Sequence, residues 1–105
     1  MKMIKAIVRP EAVDIIADSL ADAGFISITK ISAFGRGKQK GIQRGSVIYD
    51  ELPKTLLMLV VEDEEVDRAL KIIQYKAYTG SFGDGKIFIV PVDRVVTIRT
   101  SEETL

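Results

Sequence analysis

Leu56-Leu57-Met58-Leu59-Val60-Val61 runs into Glu62-Asp63-Glu64-Glu65 and then into Val66-Asp67-Arg68-Ala69-Leu70-Lys71-Ile72-Ile73. The first six residues are all apolar and end in two β-branched side chains, which reads as a central strand covered on both faces. Past the acidic tetrad the period changes. Val66, Ala69, Leu70, Ile73 and Ala77 recur at helical spacing and predict an amphipathic helix. Asp63 is placed to cap that helix, Glu64 and Glu65 suit the positive end of its dipole, and Gly80 ends it. Ile87-Phe88-Ile89-Val90 then predicts a strand, and Pro91, which has no N–H for a ladder, assigns it to a sheet edge.

The order β-α-β repeats in the first half of the chain. Met3 to Val8 reads as a strand with Ile4 and Ala6 on one face and Lys5 and Ile7 on the other, stopped by Arg9-Pro10. A helix is expected from about Glu11 to Ala23. Val13, Ile16, Ala17 and Leu20 form its stripe, Pro10 and Glu11 suit its first turn, and Gly24 its C′ position. Phe25 to Phe34, rich in Ile and Thr, predicts the second strand. Val95 to Ile98 suggests a short additional strand, and Ser101 to Leu105 a frayed tail. Strand, helix, strand, strand, helix, strand is the ferredoxin-like split βαβ plan. It is an α+β fold in one domain, 1–105, with an antiparallel sheet and both helices on one face. The strands are apolar on both sides, and nothing else in the chain can cover the second face. An oligomer in which sheet packs on sheet is therefore expected.

Composition narrows the chemistry. Of 105 residues, 15 are basic and 15 acidic, so no overall charge draws the chain to nucleic acid or anionic lipid. The central strand also lacks the exposed aromatics on which a single-stranded RNA would stack. With no Cys and no His, a hydrolase triad, an acyl-phosphate hydrolase or a structural zinc site has no material to work with. The short apolar run at the N-terminus, broken by Lys5, is a strand and not a signal peptide. No segment reaches membrane-spanning length, and a cytoplasmic protein is the expectation.

Two glycine clusters stand out. Phe34-Gly-Arg-Gly-Lys-Gln-Lys-Gly-Ile-Gln-Arg-Gly45 is basic and opens a segment, about 36–53, with no helix or strand pattern; it far exceeds the usual connection of roughly 2–6 residues. Thr79-Gly-Ser-Phe-Gly-Asp-Gly-Lys86 matches seven positions of the P-loop pattern. It fails at Ile87, where a Ser or Thr would hold Mg²⁺, and it follows a helix where a P-loop would open one. It reads either as a helix cap with a turn or as a phosphate cradle. Gln39, an amide among cations, can offer its carbonyl oxygen to a hard metal, and Lys54 stands near the exit of the long loop. Tyr49 is a loop-packing residue, a modification site or a partner anchor. Arg94 and Arg99 flank the last segment, and Arg99 either forks onto a phosphate across a subunit boundary or forms a surface salt bridge.

Taken together, Lys2-Met-Ile-Lys-Ala-Ile-Val-Arg-Pro10, Gly35-Arg36, Gln39-Lys-Gly41, Leu52-Pro-Lys54, Thr79-Gly80, Gly83-Asp-Gly-Lys-Ile-Phe88 and Ile98-Arg-Thr100 resemble the PII family of nitrogen-regulatory proteins over nearly the whole chain. The compact loop from Phe34 to Lys54 is similar to the branch acting on nitrogenase in diazotrophic archaea and some anaerobic bacteria, in particular to the first of the paired subunits there. The resemblance implies a trimer with a nucleotide site in each cleft between neighbours, where ATP and ADP compete. It implies Ile7, Thr29, Val60 and Phe88 beside the adenine, and Gly35, Arg36, Gln39, Gly83, Asp84, Gly85 and Lys86 beside the phosphates, with Arg99 entering from the neighbouring chain. It further implies 2-oxoglutarate held through Mg²⁺ on Gln39, by Lys54 and near Lys40 and Gly41.

The loop, about 36–53, would contact the partner protein. That partner is nitrogenase or, on the alternative reading, an ammonium transporter or glutamine synthetase. The particle would be a homotrimer or a mixed assembly with a paralogue, acting as a regulator and not an enzyme. Two departures from the family pattern stand out. Thr97 replaces a second arginine, so that one phosphate contact is either lost or taken over by Arg94 or Lys86. Tyr49 is out of register with the tyrosine that is uridylylated in bacterial members, so uridylylation is not expected.

Overall fold

The computed structural model describes residues 1–36, 42–44, 47–49 and 51–105. The elements in chain order are β1 (Lys2–Val8), α1 (Val13–Asp22), β2 (Thr29–Gly35), β3 (Ile42–Arg44), β4 (Val47–Tyr49), β5 (Leu52–Val61), α2 (Val66–Ala77) and β6 (Gly85–Pro91). A four-stranded sheet runs β2-β5-β1-β6 with every neighbour antiparallel. This is the ferredoxin-like arrangement: β5 is central as expected, and β6 is at the edge, where Pro91 costs no ladder bond.

Alternation in the central strands builds the core. Ile4, Ala6 and Val8 of β1 and Leu57, Leu59 and Val61 of β5 are buried. They meet Val13, Ile16 and Leu20 of α1 and Ala69 and Ile73 of α2, so both helices lie on this face. Register places Met3, Lys5 and Ile7 of β1 opposite Val60, Met58 and Leu56 of β5, on the other face. Ile31 of β2 and Phe88 of β6 extend that face and are 44% and 48% exposed. An apolar sheet face is thus left uncovered by the described residues.

Several local expectations change. The long connection is not free of strand: Ile42 pairs with Tyr49, Gln43 with Ile48 and Arg44 with Val47, as the β-branched Val47-Ile48 favours. Asp63 does not cap α2. It lies in a 3₁₀ turn, Asp63–Glu65, and its carboxylate pairs with the Met1 ammonium at 3.0 Å and Lys2 Nζ at 3.6 Å. A matching 3₁₀ turn, Pro10–Ala12, precedes α1, and α2 closes at Tyr78, before Gly80, because Tyr78 is already extended. Val95 to Ile98 forms no strand. The Thr97 N–H donates to the Glu102 carbonyl and Ser101 N–H to the Thr97 carbonyl, so these groups serve a local C-terminal turn. The second strand begins at Thr29, four residues later than expected from Phe25. The Phe25 N–H instead donates to the Leu20 carbonyl and closes the end of α1.

Candidate functional site

The ends of three strands converge on the second glycine cluster. Antiparallel pairing of β1 with β6 sets Val8 opposite Gly85, which brings Arg9 beside residues 82–84. Pairing of β2 with β5 sets Gly35 opposite Leu52 and Ala33 opposite Lys54, which brings the start of the long loop to the same end of the sheet. There Arg9 Nη2 donates to the Phe82 carbonyl at 2.6 Å, and Lys54 Nζ donates to the Gly83 carbonyl, also at 2.6 Å. Two cations are therefore held on adjacent neutral carbonyls. A carbonyl satisfies the Lys54 ammonium only in part, so an anion arriving here finds that charge already positioned, whereas Arg9 also faces the Asp84 carboxylate.

Asp84 organises the loop. Its Oδ2 accepts the Thr79 N–H at 2.8 Å and the Gly80 N–H at 2.9 Å, while Oδ1 accepts the Thr79 hydroxyl and faces Arg9 Nε at 3.4 Å. The hydrogen bonds from Thr79, hydroxyl first and then backbone, followed by those from Gly80 and Arg9, hold its carboxyl down at about 2, well below 3.8. Two glycines make the shape possible. Gly83 has φ +93°, and a Cβ there would meet Arg9 Nη2 at 3.2 Å and Lys54 Nζ at 3.4 Å; Gly85 has φ +113° and lies against the backbone of β1.

Of the residues expected at a ligand, the structure brings Gly35, Lys54, Gly83, Asp84 and Gly85 to this sheet end. Arg36 follows directly at the end of β2. Lys86 and Phe88 stand exposed on β6. Ile7, Thr29, Val60 and Phe88 all lie on the open sheet face, yet they do not form one pocket. Thr29 and Phe88 occupy the two edge strands of one row, three strand spacings or roughly 14 Å apart. Gln39, Lys40 and Gly41 lie outside the described residues. Arg99 lies in the exposed turn near the C-terminus and makes no hydrogen bond or ion pair with any described residue. Arg94 pairs with Glu103, so its guanidinium is directed to the tail and not to the glycine loop.

Arg9 and Thr79 are the participants that motif reading left out of the site. A signal for Arg9 existed: once β1 and β6 are neighbours and antiparallel, the residue ending β1 must face the residue opening β6. Among the described residues, no group of three or more acidic side chains is placed to hold a metal ion, and no helix is long and apolar enough to cross a membrane.

The described residues thus form a small βαββαβ domain with an open apolar sheet face and two cations bonded to a glycine loop at one sheet end. The chain belongs to the nitrogen regulatory protein P-II family, whose model matches residues 1–102. It is 56% identical over 105 residues to the nitrogen fixation nifHD2 region GlnB-like protein 1 of Methanosarcina barkeri, covering all of both chains. It is 58% identical over 102 residues to the nifHD region GlnB-like protein 1 of Methanothermococcus thermolithotrophicus, covering 97% of each. It is also 45% identical over 107 residues to the nitrogen regulatory protein P-II of Azospirillum brasilense, covering 98% of this chain and 96% of that one.

Proposed function

We propose that this chain is a cytoplasmic sensor of nitrogen status that binds ATP or ADP. With Mg²⁺ and ATP it also binds 2-oxoglutarate, and it regulates nitrogenase by direct contact through residues 36–53. The observation that carries the reading is the hydrogen bond from Lys54 Nζ to the Gly83 carbonyl. It ties the base of the long loop to the second glycine loop, so a ligand that takes either partner changes the environment of both loops. The uncovered face bearing Ile31, Leu56, Met58 and Phe88 supports assembly with further copies, either a homotrimer or a mixed particle with a paralogue.

In this reading Lys86 and the N–H groups of the 83–85 turn meet the phosphates, with Gly35 and Arg36 closing over them. Gln39 offers its amide oxygen to Mg²⁺. Lys54 leaves the Gly83 carbonyl for the distal carboxylate of 2-oxoglutarate, with Lys40 and Gly41 alongside. Ile7, Thr29, Val60 and Phe88 serve adenine between neighbouring copies, since one copy alone spreads them too widely. Arg99, without a partner among the described residues of its own chain, is directed to a neighbour's site. Differential affinity of these ligands for two conformers of residues 36–53 is what shifts the switch. The loop without 2-oxoglutarate inhibits nitrogenase, and 2-oxoglutarate relieves the inhibition.

The names of the methanogen relatives, each placed in a nitrogen-fixation region, favour nitrogenase over an ammonium transporter or glutamine synthetase. The test is calorimetric titration of 2-oxoglutarate in the presence of Mg·ATP and then of Mg·ADP. Binding that requires ATP is expected, and absence of binding with both nucleotides removes the sensing role from this chain alone.

A further inference from the structure

We propose that the Asp84 side chain is a positioning group that acts as an internal anion: it folds the second glycine loop into its ligand-ready shape, and its carboxylate does not itself touch the ligand. The proposal rests on reading that loop as the phosphate cradle.

The oxygen account comes first. A carboxylate offers about four acceptor sites. The Thr79 and Gly80 N–H groups fill two on Oδ2, and the Thr79 hydroxyl and Arg9 Nε stand at Oδ1. Nothing remains for a further donor. Sign is the second consideration. A carboxylate aimed at a polyphosphate repels it, whereas this one is turned into its own loop, stabilised by three neutral donors and paired with the Arg9 guanidinium. Asp84 also occupies the two N–H groups at Thr79 and Gly80 that an incoming phosphate would otherwise use, which confines a ligand's backbone contacts to the 83–85 side of the turn.

The third consideration is what the clasp places. Thr79 Oγ1 gives its hydrogen to Asp84 and accepts the Ser81 N–H at 3.2 Å, so one hydroxyl joins both sides of the turn. Arg9 joins Asp84 to the Phe82 carbonyl, and Lys54 holds the next carbonyl. The clasp therefore fixes the loop relative to β1 and β5, and through Lys54 it fixes the base of the long loop. Thr79 belongs to the same unit, acting through Asp84.

The experiment uses the full chain and the variants Asp84→Asn, Thr79→Val, Thr79→Ser and the Asp84→Asn/Thr79→Val double variant. ATP affinity is measured by calorimetry, and amide hydrogen exchange of residues 80–84 is measured without ligand. Asp84→Asn and Thr79→Val should each weaken ATP by about tenfold, the scale of one supporting hydrogen bond. The double variant should lose little more, because the two residues act as one unit. Both single variants should exchange faster across 80–84 before any ligand is added, and Thr79→Ser, which keeps the hydroxyl, should restore wild-type behaviour. If Asp84→Asn weakens ATP while Thr79→Val leaves affinity and exchange unchanged, the Asp84 carboxylate is a ligand contact and the proposal is wrong. If the unaltered chain does not bind ATP, the cradle reading falls by itself. Exchange still judges the clasp, which is overturned when both variants exchange like wild type.

Discussion

The carbonyl oxygen of Ile7 occupies the space that a side chain at Gly85 would need: a Cβ there would lie 1.8 Å from it and 3.2 Å from the Val8 Cα. This contact is where the edge strand β6 joins the end of β1, and the φ of +113° at Gly85 lies in the region L side chains avoid. Gly85→Ala must therefore push β6 off β1 or strain both. A loss of about 3 kcal/mol or more is expected from overpacking added to backbone strain. Urea unfolding should show it as a lower midpoint, and a wild-type midpoint would mean that the strand ends separate without cost.

Lys54 bonds the neutral Gly83 carbonyl and is the cation proposed for the distal carboxylate. Lys54→Met should lose about 1 kcal/mol of stability or less, since the bond is only partly buried. It should weaken 2-oxoglutarate far more, by at least about tenfold under Mg·ATP. Calorimetry on the folded variant separates the two effects.

Arg68 provides a control far from the glycine loop. Its Nη1 donates to the Ala23 carbonyl at 2.6 Å, its Nη2 pairs with Glu65 at 2.7 Å, and its guanidinium lies 4.4 Å from the centroid of Phe25. It closes the open end of α1 from α2. Arg68→Ala should cost about 1–2 kcal/mol in chemical denaturation and leave nucleotide affinity unchanged.

The acid limb of stability should carry the signature of Asp84. Its carboxyl is held at about 2 in the folded chain against an ordinary 3.8. A depressed carboxyl contributes stability that is fully present above the unfolded value and is lost as pH falls through the folded one. Its contribution should be level above roughly pH 5 and decline between about pH 4 and 2. Asp63, lowered by the Met1 ammonium and then by Lys2, works in the same direction. Asp84→Asn should flatten the unfolding free energy in that window, and an unaltered slope would remove Asp84 as its source.

The open sheet face should respond to charge. Leu56 sits on central strand β5, between Ile31 and Ile7 in the register. If that face packs against other copies, Leu56→Asp buries an unpaired carboxylate in the contact and should yield monomers in sedimentation. Oligomers of wild-type size would show that assembly uses another surface.

What the residue pattern determined by itself was local and periodic. The unbroken apolar run Leu56 to Val61 and the helical stripe from Val66 to Ala77 specify a central strand and the helix after it. Burial of alternate side chains on β1 and β5 is the same signal seen in three dimensions. The two glycine clusters and Lys54 were visible as chemistry without an address. Tertiary structure alone decided what depends on contacts far apart in the chain. Arg9 and Asp84, 75 residues apart, meet only because β1 and β6 pair antiparallel. Asp63 pairs with the Met1 ammonium in place of capping its helix, and Thr97, within the segment read as a strand, bonds to Glu102 and Ser101 of the tail. Periodicity reports which face of an element is apolar, whereas a hydrogen bond or an ion pair depends on which two side chains the folded backbone brings within about 3 Å, and no local pattern encodes that distance.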